Sequence, residues 1–286
     1  MLKKILNGIV RFYLQYSPIT DGKAGLLNLT RRMVLPDDSF VTFTTKHKFK
    51  LKVCLKNPEH QHYYFYGSHD ERYEINNISR LLRPGDVCWD IGGNIGFYTC
   101  FFAQSVGPLG KVVSFEPSSF TMKFLRENIE LNHFDNVELV QKGLGEKKGI
   151  AELYFQNMEI GQGTASLLKI DGYDKVEKIE TDKMDNFLEI LPPPVFMKID
   201  VEGLQFDVIK GGEALIQKHL PLIMIELKDS SESMVRGVDE FFAAKGYSVY
   251  EFKKDSLSPL KGLSFPLRRR NYLFANKNSP LFSRIR

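Results

Sequence analysis

The strongest constraint on the fold is the alternation of short apolar runs with helical segments that begins after the Pro/Gly boundary at 83–86. Strands are predicted at 87–91, 111–115, 137–140, 195–199, 222–227, 247–252 and 272–275. Most of them are separated by helical segments, one of which is predicted to run without a break over 206–217. This alternation favours a mostly parallel sheet with helices on both faces. Because such sheets bind ligands at the carboxyl ends of their strands, we expect the chemistry just after positions 91, 115, 140, 199 and 225.

The segment before this boundary has a mixed pattern. The first residues predict an amphipathic helix, because Asn7, Gly8 and Arg11 interrupt the apolar run that a signal peptide requires. Residues 40–56 alternate apolar and polar side chains, which predicts a β-hairpin. We expect a loop and an aromatic strand over 58–67 and a helix over 70–82. The chain is therefore divided into an N-terminal α+β extension, 1–69, and a main domain, 70–286.

Composition narrows the class of protein. The chain has 286 residues, of which 43% are hydrophobic and 26% charged, and this excludes disordered, collagenous and coiled-coil proteins. The three cysteines, Cys54, Cys88 and Cys100, exclude a disulfide-framed module and a four-cysteine zinc site. Such sparse cysteine suits a reducing compartment, and we predict a cytoplasmic protein.

Charge is unevenly distributed along the chain, although its net value is only +4. Residues 253–286 hold nine Lys and Arg against one acid, and residues 1–36 hold six against one. One interpretation is that these are solvated helix faces and a loose tail. The other is that the basic ends form a peripheral contact with anionic lipid or a phosphorylated substrate. The net charge is too small to require a specific nucleic-acid partner.

The first strand of the main domain runs into a glycine-rich turn, Asp90-Ile-Gly-Gly-Asn-Ile-Gly-Phe97. A dinucleotide fingerprint needs Gly at its first, third and sixth positions. Counted from Gly92, the third and sixth positions hold Asn94 and Phe97, which disfavours a nicotinamide-dependent reductase. A carboxylate such as Asp90 suits a ligand that carries an ammonium group better than one that carries a pyrophosphate.

The next two strand ends offer groups for a nucleoside. Glu116, in Ser114-Phe-Glu-Pro117, is placed to accept hydrogen bonds from both hydroxyls of a ribose. The third strand runs into Gln141-Lys-Gly-Leu-Gly145. Leu144 is a candidate to pack on an adenine ring beside the backbone of Gly143, and a plain loop is the alternative.

The most distinctive segment is Phe196-Met-Lys-Ile-Asp-Val-Glu-Gly203. Lys198, Asp200 and Glu202 share one face if the strand continues through them. Buried charges of this kind must pair with one another. Glu226, at the tip of the next strand, adds a carboxylate to the same rim. The alternative is that one of the carboxylates after position 199 only caps the following helix.

Together, these motifs resemble the FkbM family of class I S-adenosylmethionine-dependent methyltransferases. The resemblance covers about residues 70–230, and Asn271-Tyr-Leu-Phe-Ala275 resembles the family's closing strand. The family more often has Ala at the position of Gly93 and an acidic residue at that of Ser118. The resemblance implies a Rossmann-like fold with a seven-stranded, mostly parallel sheet. It also implies that S-adenosylmethionine is the methyl donor, that the acceptor is often a hydroxyl group, and that sugars, glycans and polyketides are acceptor classes.

The resemblance also implies site residues. Those expected to bind S-adenosylmethionine are Asp90, Gly92, Gly93, Asn94, Gly96, Phe97, Glu116, Pro117, Gly143 and Leu144. An alcohol acceptor benefits from a general base, for which Asp200 and Glu202 are the candidates and Glu226 the third. We hypothesise that Asp200 lies nearest the methyl group and that Lys198 keeps a carboxylate ionised. The expected partner is a small-molecule or glycan acceptor.

Two other functions compete with this one. A nucleic-acid methyltransferase is disfavoured because base methylation commonly uses an Asp/Asn-Pro-Pro-aromatic tip, whereas this strand ends in two carboxylates that repel phosphate. A non-catalytic adaptor that docks on membranes is disfavoured by the retained motif residues. The sequence does not indicate the oligomeric state.

Three further segments leave alternatives open. His60, His62 and His69, with Asp70 and Glu71, have metal-binding side chains, but no motif anchors a third ligand and we expect no metal. An acidic residue in 70–74 is instead a candidate for the amino-acid end of the cofactor. The loop at 161–166 either gates the acceptor or is a simple connection.

Overall fold

The structure is a computed structural model that describes residues 2–17, 19, 22–68, 71–155, 175–228 and 230–285. Its helices are α1 (Leu2–Tyr16), α2 (Lys23–Val34), α3 (Pro58–Tyr66), α4 (Arg72–Leu81), α5 (Phe97–Val106), α6 (Ser119–Leu131), α7 (Gln205–Gly211), α8 (Glu213–His219) and α9 (Glu232–Ala244). Among the described residues, none of these helices has the length and apolar composition needed to span a membrane.

The strands before position 145 are β1 (Phe40–Thr44), β2 (Lys50–Cys54), β3 (Val87–Ile91), β4 (Lys111–Phe115), β5 (Val137–Val140) and β6 (Gly143–Leu144). The later strands are β7 (Gly149–Phe155), β8 (Lys175–Asp182), β9 (Phe196–Ile199), β10 (Leu222–Glu226), β11 (Tyr247–Phe252), β12 (Leu257–Pro259) and β13 (Asn271–Asn276).

The central sheet has the order β12-β11-β13-β10-β9-β3-β4-β5. The five strands from β10 to β5 are parallel, and β13 is antiparallel to both of its neighbours, β10 and β11. The predicted α/β class is therefore confirmed, and all seven predicted strands are present. An eighth strand, β12, is added at the edge. It escaped prediction because it has three residues and contains Pro259, which is tolerated at a sheet edge.

Side chains of the central strands alternate between two hydrophobic cores, one on each face of the sheet. On β3, Cys88 faces the core beneath α5 and α6, whereas Trp89 faces the core beneath α7, α8 and α9. The indole Nε1 of Trp89 donates a hydrogen bond to the carbonyl oxygen of Pro192 at 3.0 Å. The same alternation directs Lys198, on β9, toward the α5 side of the sheet.

The N-terminal segment contains the predicted helix, α1, and the predicted hairpin, β1–β2. The prediction of a loop and strand over 58–67 was wrong, because these residues form helix α3. Its start is fixed by Asn57, whose side chain accepts a hydrogen bond from the Glu59 N–H at 2.8 Å, and by Pro58 in the first turn. Gly67 ends it in the left-handed conformation. These signals outweigh the aromatic content that favoured a strand.

Two features of the main domain differ from expectation. A small sheet with the order β6-β8-β7 follows β5 and was not predicted. The helix predicted over 206–217 is broken into α7 and α8 at Gly212. A Cβ atom at Gly211 would lie 2.0 Å from the carbonyl oxygen of Gly145, and one at Gly212 would lie 2.5 Å from the sulfur of Met184. Close packing against these groups requires both glycines.

Candidate active site

A cavity of about 400 Å³ opens at the carboxyl ends of β3, β4, β9 and β10, where the sheet topology predicted the chemistry. Its volume lies within the range of small-molecule pockets, about 300–1,000 Å³. The predicted site residues that line it are Gly92, Asn94, Glu116, Pro117, Gly143, Leu144, Asp200, Glu202 and Glu226. The other predicted residues, Asp90, Gly93, Gly96, Phe97 and Lys198, do not line it. Helix α3 forms part of its wall through Pro58, Glu59, His62 and Tyr63.

The turn after β3 is held tightly against the neighbouring strand ends. The N–H groups of Gly92 and Gly93 both donate to the Phe115 carbonyl oxygen, at 2.9 and 3.0 Å. Gly92 has a φ of +85°, and a Cβ atom there would lie 2.0 Å from the carbonyl oxygen of Asp200. A Cβ atom at Gly93 would lie 2.2 Å from Ser114 Oγ, which explains why this chain has glycine there. The turn therefore brings the tip of β9 directly against the glycine motif.

Glu116 is almost fully buried beside this turn. Its Oε2 accepts a hydrogen bond from the Asn94 N–H and its Oε1 accepts one from the Ser118 N–H, both at 3.0 Å. Burial raises the pKa of Glu116 to about 7, although these two hydrogen bonds favour its charged form. Each carboxylate oxygen can accept more than one hydrogen bond, so Glu116 retains acceptor capacity toward a ligand. Ser118 itself caps α6, accepting from the Thr121 N–H at 3.4 Å.

Asp90 lies behind the turn and is fully buried. Its Oδ2 accepts a hydrogen bond from the Thr99 hydroxyl at 2.6 Å, whereas its Oδ1 has no hydrogen-bond partner among the described residues. Burial raises the pKa of Asp90 to about 6, and the positive charge of Lys198 opposes this shift. Phe97 is also buried, and its ring stacks on that of Tyr63 with the centroids 5.3 Å apart. Both residues therefore support the turn from behind.

Lys198 and Asp200 form the predicted pair. Lys198 Nζ donates a hydrogen bond to Asp200 Oδ2 at 2.7 Å and lies 4.8 Å from the centroid of the Tyr98 ring. The Lys198 side chain is only 4% exposed, whereas that of Asp200 is 35% exposed at the cavity. Burial lowers the pKa of Lys198, but the carboxylates of Asp200 and Asp90 outweigh burial and hold it above its usual value. Lys198 is therefore a permanent cation beneath Asp200.

Glu226 lies next to Asp200 on the same rim. Arg270 Nε donates to Glu226 Oε1 at 2.6 Å, and Glu226 also shares a hydrogen bond with Asp200. Burial, followed by the negative charge of Asp200 and the hydrogen bond with it, raises the pKa of Glu226 to about 9, although Arg270 opposes this shift. Glu226 is therefore protonated at neutral pH, and its O–H is the donor toward Asp200.

Glu202 is placed differently from these carboxylates. It is exposed, and it lies in the turn between β9 and α7 because the strand ends at Ile199. The common strand face predicted for positions 198, 200 and 202 therefore extends only to Asp200. The cap position of α7 is Leu204, so the capping alternative holds for neither Asp200 nor Glu202.

The sequence reasoning missed a buried network behind this rim. Glu71 accepts hydrogen bonds from the Tyr98 hydroxyl and from Asn271 Nδ2, the latter at 2.7 Å. Arg270 Nε lies 3.6 Å from Glu71 Oε1. Arg270 and Asn271 stand where the antiparallel strand β13 begins, which is beside the carboxyl end of β10. Sequence reasoning could have found these two residues by pairing the closing strand, β13, antiparallel with β10, because this pairing places the start of β13 beside the carboxyl end of β10.

The metal-binding alternative finds no support in the described residues. His60 is fully buried within α3, and its Nδ1 accepts a hydrogen bond from the Cys54 N–H at 3.2 Å. His62 stacks on Tyr66 with centroids 4.3 Å apart. No group of three or more His, Cys, Asp or Glu within the described ranges could hold a metal ion. His69, Asp70 and the loop at 161–166 lie outside the described residues.

Comparison with known proteins points to one family. A family model described as a methyltransferase FkbM domain matches residues 90–249. Methyltransferase 1 of Beauveria bassiana is 26% identical over 204 residues, which is 64% of this chain and 80% of that protein. The hexuronic acid methyltransferase AglP of Haloferax volcanii is 28% identical over 161 residues, which is 55% of this chain and 64% of that protein.

Among solved structures, the methyltransferase FkbM of Methylobacillus flagellatus KT is similar. It is 17% identical, with a TM-score of 0.46, and the match covers 68% of this chain and 44% of that one. The chain therefore spans less than two thirds of both the Haloferax protein and the solved FkbM structure.

Proposed function

Because this chain belongs to the FkbM methyltransferase family, we propose that it transfers a methyl group from S-adenosylmethionine to a hydroxyl group of a sugar or glycan. The observation that carries this proposal is the position of Asp200. Its carboxylate is partly exposed at the floor of the cavity and is held there by Lys198 at 2.7 Å. A carboxylate in this position suits a general base for a hydroxyl group.

The charges around the cavity suit this methyl donor. S-adenosylmethionine supplies an already activated methyl group on a sulfonium, and it also carries an ammonium but no phosphate. The carboxyl side chains that line the cavity are Glu59, Glu116, Asp200, Glu202 and Glu226, and the cations that line it are Lys142 and Arg270, with Lys198 beneath Asp200. Glu71 and Asp90 lie behind the rim, so acidic groups are in excess even though Glu226 is protonated. This excess of acidic groups favours a cationic ligand over a phosphorylated one.

The shape and hydrogen-bonding groups of the turn also fit. Gly92 lines the cavity, and it presents backbone there with no side chain of its own. Glu116 is assigned to the ribose hydroxyls and Leu144 to the adenine ring, both from the cavity wall. The unpaired Oδ1 of Asp90 lies directly behind the turn and is assigned to a bridging water that reaches the ammonium.

The carboxylates at the rim are given different roles by their surroundings. Lys198 favours the ionised form of Asp200. Asp200 would take the proton of the acceptor hydroxyl as its oxygen bonds to the methyl carbon and the carbon–sulfur bond of the donor breaks, which leaves a neutral thioether. Protonated Glu226 donates to Asp200 and holds its orientation, while Arg270 holds Glu226. Because the methyl group of the donor is already activated, placing donor and acceptor between the turn and this pair would contribute most of the rate.

The acceptor is proposed from the hydroxyl chemistry together with the relative in Haloferax, whose name gives hexuronic acid as its substrate. Glu59 and His62, on the α3 wall, add polar groups that suit a hydroxyl-rich acceptor more than a polyketide. The carboxylates of Asp200 and Glu202, which both line the cavity, oppose a nucleic-acid acceptor because they repel phosphate.

The test measures the transfer of labelled methyl groups from S-adenosylmethionine to hexuronic acids, neutral sugars, glycans, polyketides and RNA. We expect Asp200→Asn to reduce turnover on the preferred acceptor by about 10²–10⁴-fold, while the cofactor Kd from calorimetry stays within a few-fold. Asp207→Asn is the matched control, because Asp207 lies on α7 and pairs with Lys210. Its turnover should be unchanged.

Each other outcome identifies a different error. Loss of cofactor binding in Asp200→Asn would make Asp200 a cofactor ligand rather than the base. Labelling of RNA alone would make the protein a nucleic-acid methyltransferase. Absence of cofactor binding in the unmodified protein would favour a non-catalytic adaptor.

A further inference from the structure

Helix α1 exposes apolar side chains on the face that points away from the protein. Its buried residues are Asn7, Val10 and Leu14. On its outer face, five large apolar side chains recur at helical spacing and are each more than half exposed: Leu2, Ile5, Ile9, Phe12 and Tyr16. We call these five residues the α1 stripe. Monomeric proteins rarely expose such a continuous set of large apolar residues unless it contacts another surface.

The neighbouring helix, α2, also exposes large apolar side chains. It packs on α1 and exposes Leu29 and Met33, which stand one helical turn apart. Neither helix contains an acidic residue, and both carry basic ones. Lys4 stands in the first turn of α1, where a positive charge opposes the helix dipole and does not stabilise the helix, whereas its neighbour Lys3 pairs with Asp37. The position of Lys4 therefore suits an external anionic partner.

Both basic ends of the chain use several of their charges within the protein. In the N-terminal helices, Lys3 pairs with Asp37 and Lys23 donates to backbone carbonyl groups, and the C-terminal segment is similar. Arg269 pairs with Glu251, Arg270 pairs with Glu226, and Arg284 pairs with Asp86. Of the two basic ends of the chain, the N-terminal helices are the better docking surface because they combine basic side chains with the α1 stripe.

Helix α1 is also attached rigidly to the wall of the cavity. Arg11 Nε donates to the Tyr64 carbonyl oxygen at 3.0 Å, and the Tyr64 hydroxyl donates to Asn7 Oδ1 at 2.8 Å. Gln15 Nε2 donates to the Phe65 carbonyl oxygen at 3.3 Å. These contacts fix α1 on α3, whose other side lines the cavity. A surface bound by α1 would thus lie at a fixed position relative to the cavity.

We propose that the protein docks on anionic membrane surfaces through the α1 stripe, with the exposed residues of α2 beside it. Apolar side chains that enter the interface between headgroups and acyl chains, flanked by Lys and Arg, are the features that bind helices to such surfaces. A second copy of the chain is a poorer occupant. A symmetric contact would place the same basic helices against each other, with no acidic residue on either helix to neutralise them.

The experiment is co-sedimentation of the full chain with vesicles of phosphatidylcholine alone or of phosphatidylcholine mixed with phosphatidylglycerol. We expect binding to the mixed vesicles, weakened by salt, and little binding to the neutral ones. Replacing Ile9 and Phe12 together by Gln, which keeps helix propensity high, should weaken binding by about tenfold or more. The melting temperature should be unchanged because both side chains are exposed.

A matched control removes the same kind of exposed apolar surface elsewhere. Leu109→Gln combined with Ile190→Gln changes two exposed residues outside α1 and α2, and vesicle binding should be unchanged. A second variant, Lys4→Gln with Arg32→Gln, should lower binding to mixed vesicles about fivefold for each charge removed.

Three results would overturn the proposal. One is the absence of binding to mixed vesicles, and another is equal binding of the unmodified chain and the Ile9/Phe12 variant. The third is a dimer in light scattering that the Ile9/Phe12 variant converts to a monomer, because the occupant of the α1 stripe would then be a second copy.

Discussion

Asp90 is a buried carboxyl group that depends on one neighbouring residue. Thr99 donates to its Oδ2 at 2.6 Å, and Thr99 Oγ1 also lies 3.0 Å from Ser114 Oγ. With its pKa raised to about 6, Asp90 is more than half ionised at neutral pH, although its side chain is fully buried. The hydroxyl of Thr99 therefore stabilises a charge that the glycine turn covers.

We expect Thr99→Val to destabilise the protein by about 1–3 kcal/mol, because it keeps the side-chain shape but removes the hydrogen bond. The loss should be larger at pH 8 than at pH 5. The variant raises the pKa of folded Asp90 further, so that the cost of ionising it grows as the pH rises through about 6. Urea denaturation at the two pH values measures it.

Thr30→Val is the control, because Thr30 bonds only to the backbone of α2 at Leu26. Its effect on the free energy of unfolding should not depend on pH. An equal effect of Thr99→Val at both pH values would contradict an ionised Asp90.

Glu226 carries a second prediction at this scale. Its folded-state pKa lies above its unfolded value, so the folded protein binds more protons than the unfolded chain between about pH 4.5 and 9. Glu226 therefore contributes stability at low pH that is lost as the pH rises through this range. Glu226→Gln imitates the protonated form, which cannot lose its proton, so the variant does not lose this stability as the pH rises. We expect the stability of the variant, relative to the unmodified protein, to increase from pH 5 to pH 8.

Differential scanning calorimetry at these two pH values gives the comparison, and Glu232→Gln on the surface of α9 serves as control. The same Glu226→Gln variant should retain turnover at pH 7, because its amide still accepts from Arg270 and donates to Asp200, whereas Glu226→Ala removes both hydrogen bonds and should lose it. A relative stability that does not change with pH would show that Glu226 is ionised.

The turn between β3 and α5 is the element on which the site is built. Gly85 and Gly92 both have a φ near +85°, but a Cβ atom at Gly85 would meet nothing within 4 Å. We expect Gly85→Ala to lower the free energy of unfolding by about 1 kcal/mol, because only the strain of the left-handed backbone conformation is added. Gly92→Ala should cost several kcal/mol more, because its Cβ atom would lie 2.0 Å from the carbonyl oxygen of Asp200.

Urea denaturation of both variants separates conformational strain from steric overlap. Similar losses of stability at the two glycines would mean that the tip of β9 yields easily, and that its contact with the turn is not tight.

The sequence predicted the main sheet because its strands are short apolar runs separated by glycines and prolines. It failed where local signals conflict, as in α3, where Asn57-Pro58 and Gly67 outweigh four aromatic residues. The prediction also missed β7 and β8, which pair with each other antiparallel. No recognisable turn motif in the sequence indicated that pairing. The break at Gly212 follows from packing against Met184, a contact distant in sequence.

The candidate site was predictable to the extent that it lies at strand ends. Nine predicted residues line the cavity, and the Lys198–Asp200 pair follows from the two-residue period of a strand. The predicted roles in cofactor binding and catalysis stay predictions. Glu71 and Arg270 could not be placed in the network, because they are almost 200 residues apart and meet only through the antiparallel closing strand.

At the scale of the whole molecule, the N-terminal segment and the main domain share one hydrophobic core. Val10, Leu14 and Phe43 belong to the same buried cluster as Phe97 and Phe102 of α5. The boundary predicted at residue 69 thus divides a core that is continuous. We expect the chain to unfold in one cooperative transition.

Leu14→Ala tests this expectation. It should lower the free energy of unfolding by about 2–5 kcal/mol and shift the unfolding transition of the whole chain. The chain's single tryptophan, Trp89, is buried in the central sheet and reports on the main domain by its fluorescence. Its transition should shift together with that of far-ultraviolet circular dichroism. Leu29→Ala, at a residue 80% exposed, should change little. A tryptophan transition that Leu14→Ala leaves unmoved would make residues 1–69 an independent domain.

The contact between Gly92 and the backbone of Asp200 has a consequence for how such a protein can diverge. Because of this contact, the glycine turn after β3 and the tip of β9, which form the floor of the cavity, cannot move independently of each other. The opposite wall comes from α3 and from Leu153 of β7, which lie on chain segments outside the central sheet. Substitutions in that wall can therefore change the acceptor preference while the residues of the floor stay the same.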